Sequence, residues 1–232
     1  MAAITYTFLD AKNEVYTLLY GQQFAETEAG IALINSAINR AQAEVPATLG
    51  TLMFAGSLYN TATYAAAGGD TYDMTATAWL CPIAAEIKDG AATYAQASKV
   101  EPERILRHAR TAISSKEYLY SFLGNNLWVR PIIPTGGSAL VYGLKVPTAL
   151  TADANTLEAD PRLFRAICLR AAWIAKRKFP SEDPQKFDQL KNDMADEMGR
   201  LETLVKKAQL EEYALRTGRD VLFGGQAPGQ GG

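Results

Sequence analysis

Asp183 followed by Pro184 opens the feature that most limits the fold: an uninterrupted helical pattern running from Pro184 to about Arg216. The carboxylate can cap the free amides of a first turn, and proline at the first helical position loses no bond there. Phe187, Leu190, Met194, Leu201, Leu204 and Ala208 fall near one stripe. At 1.5 Å per residue the helix would span about 50 Å, which is long for a compact domain. The same device appears at Asp160-Pro161, where a helix over 161–179 would bury Phe164, Ile167, Cys168, Ala171 and Ile174 and stop near Phe179-Pro180. The short connection from Pro180 to Asp183 predicts an antiparallel helical hairpin.

Upstream, apolar spacings predict amphipathic helices over 10–20, with Val15, Leu18 and Leu19, and over 28–45, with Ile31, Ile34, Ile38, Ala41 and Val45. Pro46 is expected to end the second. Ala47 to Asp73 shows no period and reads as a long loop. A β region is expected over 72–96, with a strand over Tyr72 to Leu80 and a hairpin turn at Asp89-Gly90. Glu101-Pro102 starts a helix over 102–113 that places Ile105, Leu106, Ala109 and Ile113 on one side. A second β region, 127–146, reads as a hairpin of Leu127–Ile133 and Ala139–Val146 joined by Pro134 to Ser138, with Leu140, Tyr142, Leu144 and Val146 sharing one face. The fold class is therefore α+β, mainly α: a helical bundle with a long C-terminal helix and a small antiparallel β insertion. Residues 1–217 form one domain in this reading, and 218–232, rich in Gly, Gln and Pro, form a flexible tail.

With 48% hydrophobic and 21% charged residues the chain has the composition of a folding globular protein. No apolar run reaches the roughly 18 residues of a membrane span, and Met1 to Asp10 lacks signal-peptide order, so the protein is expected to stay where it is made. A net charge of −2 with mixed signs predicts no tight nucleic-acid binding. Cys81 and Cys168 sit in unrelated apolar contexts and read as reduced core residues.

The residues offer little chemistry. The single histidine, His108, lies between Arg107 and Arg110, where a solvated or capping role fits best. There is no GxSxG, HExxH, CxxC or phosphate-loop motif, so neither a catalytic site nor a cofactor is expected. Asp193, Asp196 and Glu197, near Lys191 and Arg200, read as a solvated, ion-paired face; an enzyme built on that cluster would need Asp193 or Asp196 buried. Lys176, Arg177 and Lys178 suit a helix C-terminus. Tyr118, Tyr120, Phe122 and Trp128 read as core with interface as the alternative. Val221, Leu222 and Phe223 form an apolar triplet beside a flexible tract with no core to join, which reads either as a docking segment for a partner or a neighbouring subunit or as a frayed chain end.

The order of these signals resembles the adaptor, or head-completion, proteins below the portal ring of tailed phages. The resemblance runs from about Val100 to Met198. It is carried by the Pro-started helix, Tyr118-Leu119-Tyr120, Asn126-Leu127-Trp128-Val129-Arg130-Pro131 and the segment Val141 to Thr151. Asp160-Pro161-Arg162-Leu163-Phe164 and Asp183 to Phe187 then open the last two helices. It implies a virion protein of the neck that forms a ring, usually of twelve copies, between portal and tail or nozzle proteins. DNA would pass through its channel without sequence-specific binding, and its C-terminal extension would dock on the portal. The alternatives are a tail-tube or neck component farther from the portal, and a small cytosolic helical regulator.

Overall fold

Thr7 and Asp10 cap the first helix reciprocally: the Asp10 amide donates to the Thr7 hydroxyl at 3.2 Å and the Thr7 amide donates to the Asp10 carboxylate at 2.8 Å. A computed structural model of the chain describes residues 4–90, 95, 97–107, 117–179 and 182–217, with 211–217 as backbone only. Helix α1 spans Phe8–Leu18 and α2 spans Glu28–Leu49. Contrary to expectation, Pro46 lies inside α2. Val45 and Pro46 are buried, Gly50 caps the helix at φ 57°, and the Gly50 amide donates to the Pro46 carbonyl at 3.1 Å. Burial and this left-handed cap hold the last turn although proline supplies no amide hydrogen to it. Helix α3 is described over Pro102–Arg107, so the expected continuation to Ile113 lies outside the described residues.

Asp160 accepts from the Arg162 amide, as its capping role predicts, and one 3-10 turn over Pro161–Leu163 leads into α4, Phe164–Lys176. Asp183 accepts from the Lys186 amide at 3.1 Å and starts α5, Pro184–Thr217, a helix of 34 residues. The two helices run antiparallel: Trp173 stacks on Phe187 near the turn, and Arg170 reaches Met194 farther along. α1, α2, α4 and α5 enclose the first core, in which Val15, Ile34, Ile38, Ile167, Cys168 and Leu201 are fully buried.

The β part differs more from expectation. Strands β1 (Tyr59–Ala65), β7 (Ser138–Lys145) and β3 (Trp79–Lys88) form a three-stranded antiparallel sheet with β7 in the middle. A second, four-stranded sheet has the order β2 (Thr71–Asp73), β6 (Asn126–Arg130), β5 (Tyr118–Leu123), β4 (Ala97–Lys99), its β4–β5 pair parallel. The stretch 47–73 is thus not one loop; it contains β1 and β2. The Tyr72–Leu80 segment is split between two strands of different sheets, and β6 and β7 do not form a hairpin. Pro131 and Pro134 cannot donate to a ladder, so the chain leaves one sheet there and enters the other. The tight hairpin is β5–β6, whose register closes Leu123 opposite Asn126 around Gly124-Asn125. Along β7 the buried positions are Ala139, Val141, Gly143 and Leu144, while Val146 is exposed, so the expected Leu140-to-Val146 face is not the core face.

A second core joins Tyr72, Ile87, Tyr118, Tyr120, Leu127, Val129 and Val141. Because Leu144 belongs to the first core and Val141 to the second, β7 links the helical and β parts. Chain reversal at Gly90 (φ 93°) is supported by the antiparallel bridge between Ile87 and Ala95.

Candidate functional site

The corner where α4 turns into α5 explains the basic cluster. Lys176 is fully buried, donates to the Phe179 carbonyl at 3.0 Å and lies 4.0 Å from the Glu182 carboxylate. It satisfies a carbonyl of the turn that follows α4 while its charge lies at the C-terminal end of that helix, where positive charge is favoured. Arg177 stands over the Trp173 ring. Lys176 and Arg177 are thus held at the corner, and Lys178 is exposed. On α5, Asp193 is half-buried, Asp196 is exposed, and Glu197 pairs with Arg200 at 2.6 Å. Among the described residues no group of three His, Cys, Asp or Glu side chains could hold a metal ion. Burial pushes the thiols of Cys81 and Cys168 up, which works against a thiolate nucleophile. No described helix is long and apolar enough to cross a membrane. His108, Val221, Leu222 and Phe223 lie outside the described residues.

Of the four aromatics, Tyr118 and Tyr120 are buried and Phe122 and Trp128 are half-buried. Tyr118 and Tyr120 belong to the second core and Phe122 packs against it, and burial pushes the phenols of Tyr118 and Tyr120 up, as it pushes the neighbouring Tyr72 up to about 12.

The surfaces that remain suit contact between proteins. β1 is an edge strand of seven residues, and residues 45–69 around it carry no charged side chain. Its phase follows from one bond: the Ala66 amide donates to the Gly137 carbonyl at 2.9 Å, continuing the register Ala65 opposite Ser138. Antiparallel ladders alternate, so Asn60, Ala62 and Tyr64 face β7, and Tyr59, Thr61, Thr63 and Ala65 aim their amides and carbonyls outward. The side chains of these four are exposed. Among the described residues nothing pairs with that edge. The other edges are blunted: β3 carries Pro82 and two register shifts, and β2 and β4 have three residues each. Sequence reasoning missed β1 because its small residues, Thr61, Ala62, Thr63 and Ala65, alternate in burial but scarcely in hydropathy.

The second surface is α5 itself. Its anchored stripe runs through Leu190, Met194, Met198, Leu201, Leu204 and Val205, and the helix then continues to Thr217. At 1.5 Å per residue this adds about 18 Å.

A family model described as SU10 adaptor protein matches residues 6–219. The chain belongs to this family of phage adaptor proteins. The match covers both sheets and the five α-helices of the described residues, extending well past the segment that carried the resemblance on either side. No curated protein matches the chain. As an adaptor, the protein is a structural component of the virion.

Proposed function

We propose that this adaptor assembles into a closed ring of copies, twelve in number, between the portal and the tail or nozzle proteins, retaining packaged DNA and presenting the platform on which the tail is built. The observation that carries this reading is the family match over residues 6–219. The molecule's architecture supports it: a helical layer with a long projecting helix and a β layer with an unpaired edge are the surfaces through which repeated heterologous contacts can close a ring. Ring closure makes each interface reinforce the next, so modest contacts sum to a stable assembly without any bond being broken. A net charge of −2 suits a wall past which DNA slides without sequence-specific adhesion. Val221, Leu222 and Phe223 serve as the docking segment that holds each copy to its partner, the portal or an adjacent copy.

The test is imaging and mass determination of the chain mixed with its cognate portal, with and without residues 218–232. A closed ring on the portal that weakens on truncation supports both the adaptor ring and the docking role. No association under assembly conditions would reject portal docking.

A further inference from the structure

We infer that the outer edge of β1 is the acceptor for the tail of a second copy of this chain, with Val221-Leu222-Phe223 added as a further strand beside Tyr59–Ala65. This rests on the ring reading above and specifies one of its contacts.

The acceptor is defined by backbone geometry. Tyr59, Thr61, Thr63 and Ala65 present amides and carbonyls at two-residue spacing along an uncharged strand without proline. Such an edge binds extended chain through main-chain hydrogen bonds. Recognition there cannot rest on ion pairs, because residues 45–69 carry no charge. The tail matches this: residues 221–232 are also uncharged, and Val221 and Phe223 are residues that favour strands.

The fold also brings the end of α5 to this level of the molecule. The start of β1 lies beside the start of α4, where the Ser57 amide donates to the Glu158 carbonyl at 2.9 Å. The Gly56 backbone packs so closely there that a Cβ would meet the Asp160 nitrogen at 2.8 Å. Since α5 runs antiparallel to α4, it leaves the bundle at that same end. Its last turns, to Thr217, continue past the stripe that is anchored on the first core. From Thr217, Leu222 lies five residues on and reaches at most about 17 Å when extended, so the acceptor edge belongs to a subunit packed against the projecting end of α5. A donor tail and an acceptor edge at different places on one chain make a heterologous contact, the kind that propagates around a ring.

The experiment uses full-length chains. Copies carrying Thr63→Cys are mixed with copies carrying Leu222→Cys under a mild oxidant, and the 63–222 disulfide is sought by mass spectrometry. An intermolecular disulfide is expected, and an unlabelled peptide of residues 218–232 should compete it away. Adding Thr61→Pro to the acceptor removes an outward amide that the sheet itself does not use, so the fold should persist by circular dichroism while cross-linking falls by about tenfold or more. If that variant does not fold, Thr61→Lys places a charge on the same edge and should give the same loss. No intermolecular disulfide, or one indifferent to the position 61 changes, would overturn the inference. So would a 63–222 disulfide that forms only within a chain carrying both cysteines, independent of dilution. A ring that still forms on the portal in those cases leaves the adaptor reading standing and assigns the tail to the portal.

Discussion

Asn39 and Leu150 bond each other in both directions: the Leu150 amide donates to Asn39 Oδ1 at 2.6 Å, and Asn39 Nδ2 donates to the Leu150 carbonyl at 3.1 Å. The pair fastens the middle of α2 to the strap that follows β7, with Gln42 donating to the Thr148 carbonyl at 3.0 Å one turn away. Asn39→Ala strands both backbone groups of a buried residue, and should cost about 1–3 kcal/mol in chemical unfolding. Asn39→Asp should be similarly damaging, since it keeps the acceptor and removes the donor.

Glu44 joins α2 to α4 by accepting from Arg170, at 2.8 Å from Nε and 2.7 Å from Nη2, and also from Arg40. Partial burial pushes its carboxyl up, and the hydrogen bonds and charges of Arg40 and Arg170 outweigh that, leaving it below the ordinary 4.5. A depressed carboxyl stabilises the fold above its unfolded value, and that contribution is lost as pH falls through the folded value. Glu44→Gln should therefore lower stability at neutral pH and flatten the decline below 4.5. Urea unfolding across a pH series would read both changes.

Leu201 is fully buried where α5 crosses the first core, whereas Lys207, one and a half turns on, is exposed. Leu201→Ala should cost about 2–5 kcal/mol through the cavity it leaves. Lys207→Ala should stay within about 0.5 kcal/mol. Thermal melts of both variants would show whether the anchored half of α5 alone carries its stability.

Gly143 in β7 lies against β3 so closely that a Cβ would meet the Cys81 carbonyl oxygen at 2.5 Å and Pro82 Cα at 2.8 Å. Both are backbone atoms and cannot rotate away. Gly143→Ala should destabilise by about 1–3 kcal/mol, measured by denaturant titration, by forcing the central and edge strands apart.

The helices were legible because their signals are local. Thr27, Asp160 and Asp183 accept amides one turn ahead, and the apolar spacing of α2, α4 and α5 repeats within a few residues, so neighbouring side chains in sequence are neighbours in space. Even there, Pro46 obeyed burial and not its local preference. The sheets were not legible in the same way. Leu127–Arg130 and Ala139–Lys145 were recognisable as strands, but nothing local says that one joins β5 and the other lies between β1 and β3. Gly124-Asn125, two turn-forming residues between aromatic runs, was the signal that could have found the true hairpin.

By itself, then, the sequence determined the helical hairpin, the length of α5, the α+β class and, through the order of its Pro-bounded segments, the adaptor family. Only the tertiary structure decided which strands pair, that Lys176 is buried at the end of α4, and that Thr61 and Thr63 lie on an edge that no described residue pairs. The reason is physical: caps and helical periodicity are satisfied within one turn, whereas strand pairing and burial depend on partners tens of residues away, and small uncharged residues such as those of β1 fit a loop or an edge equally well until those partners are in place.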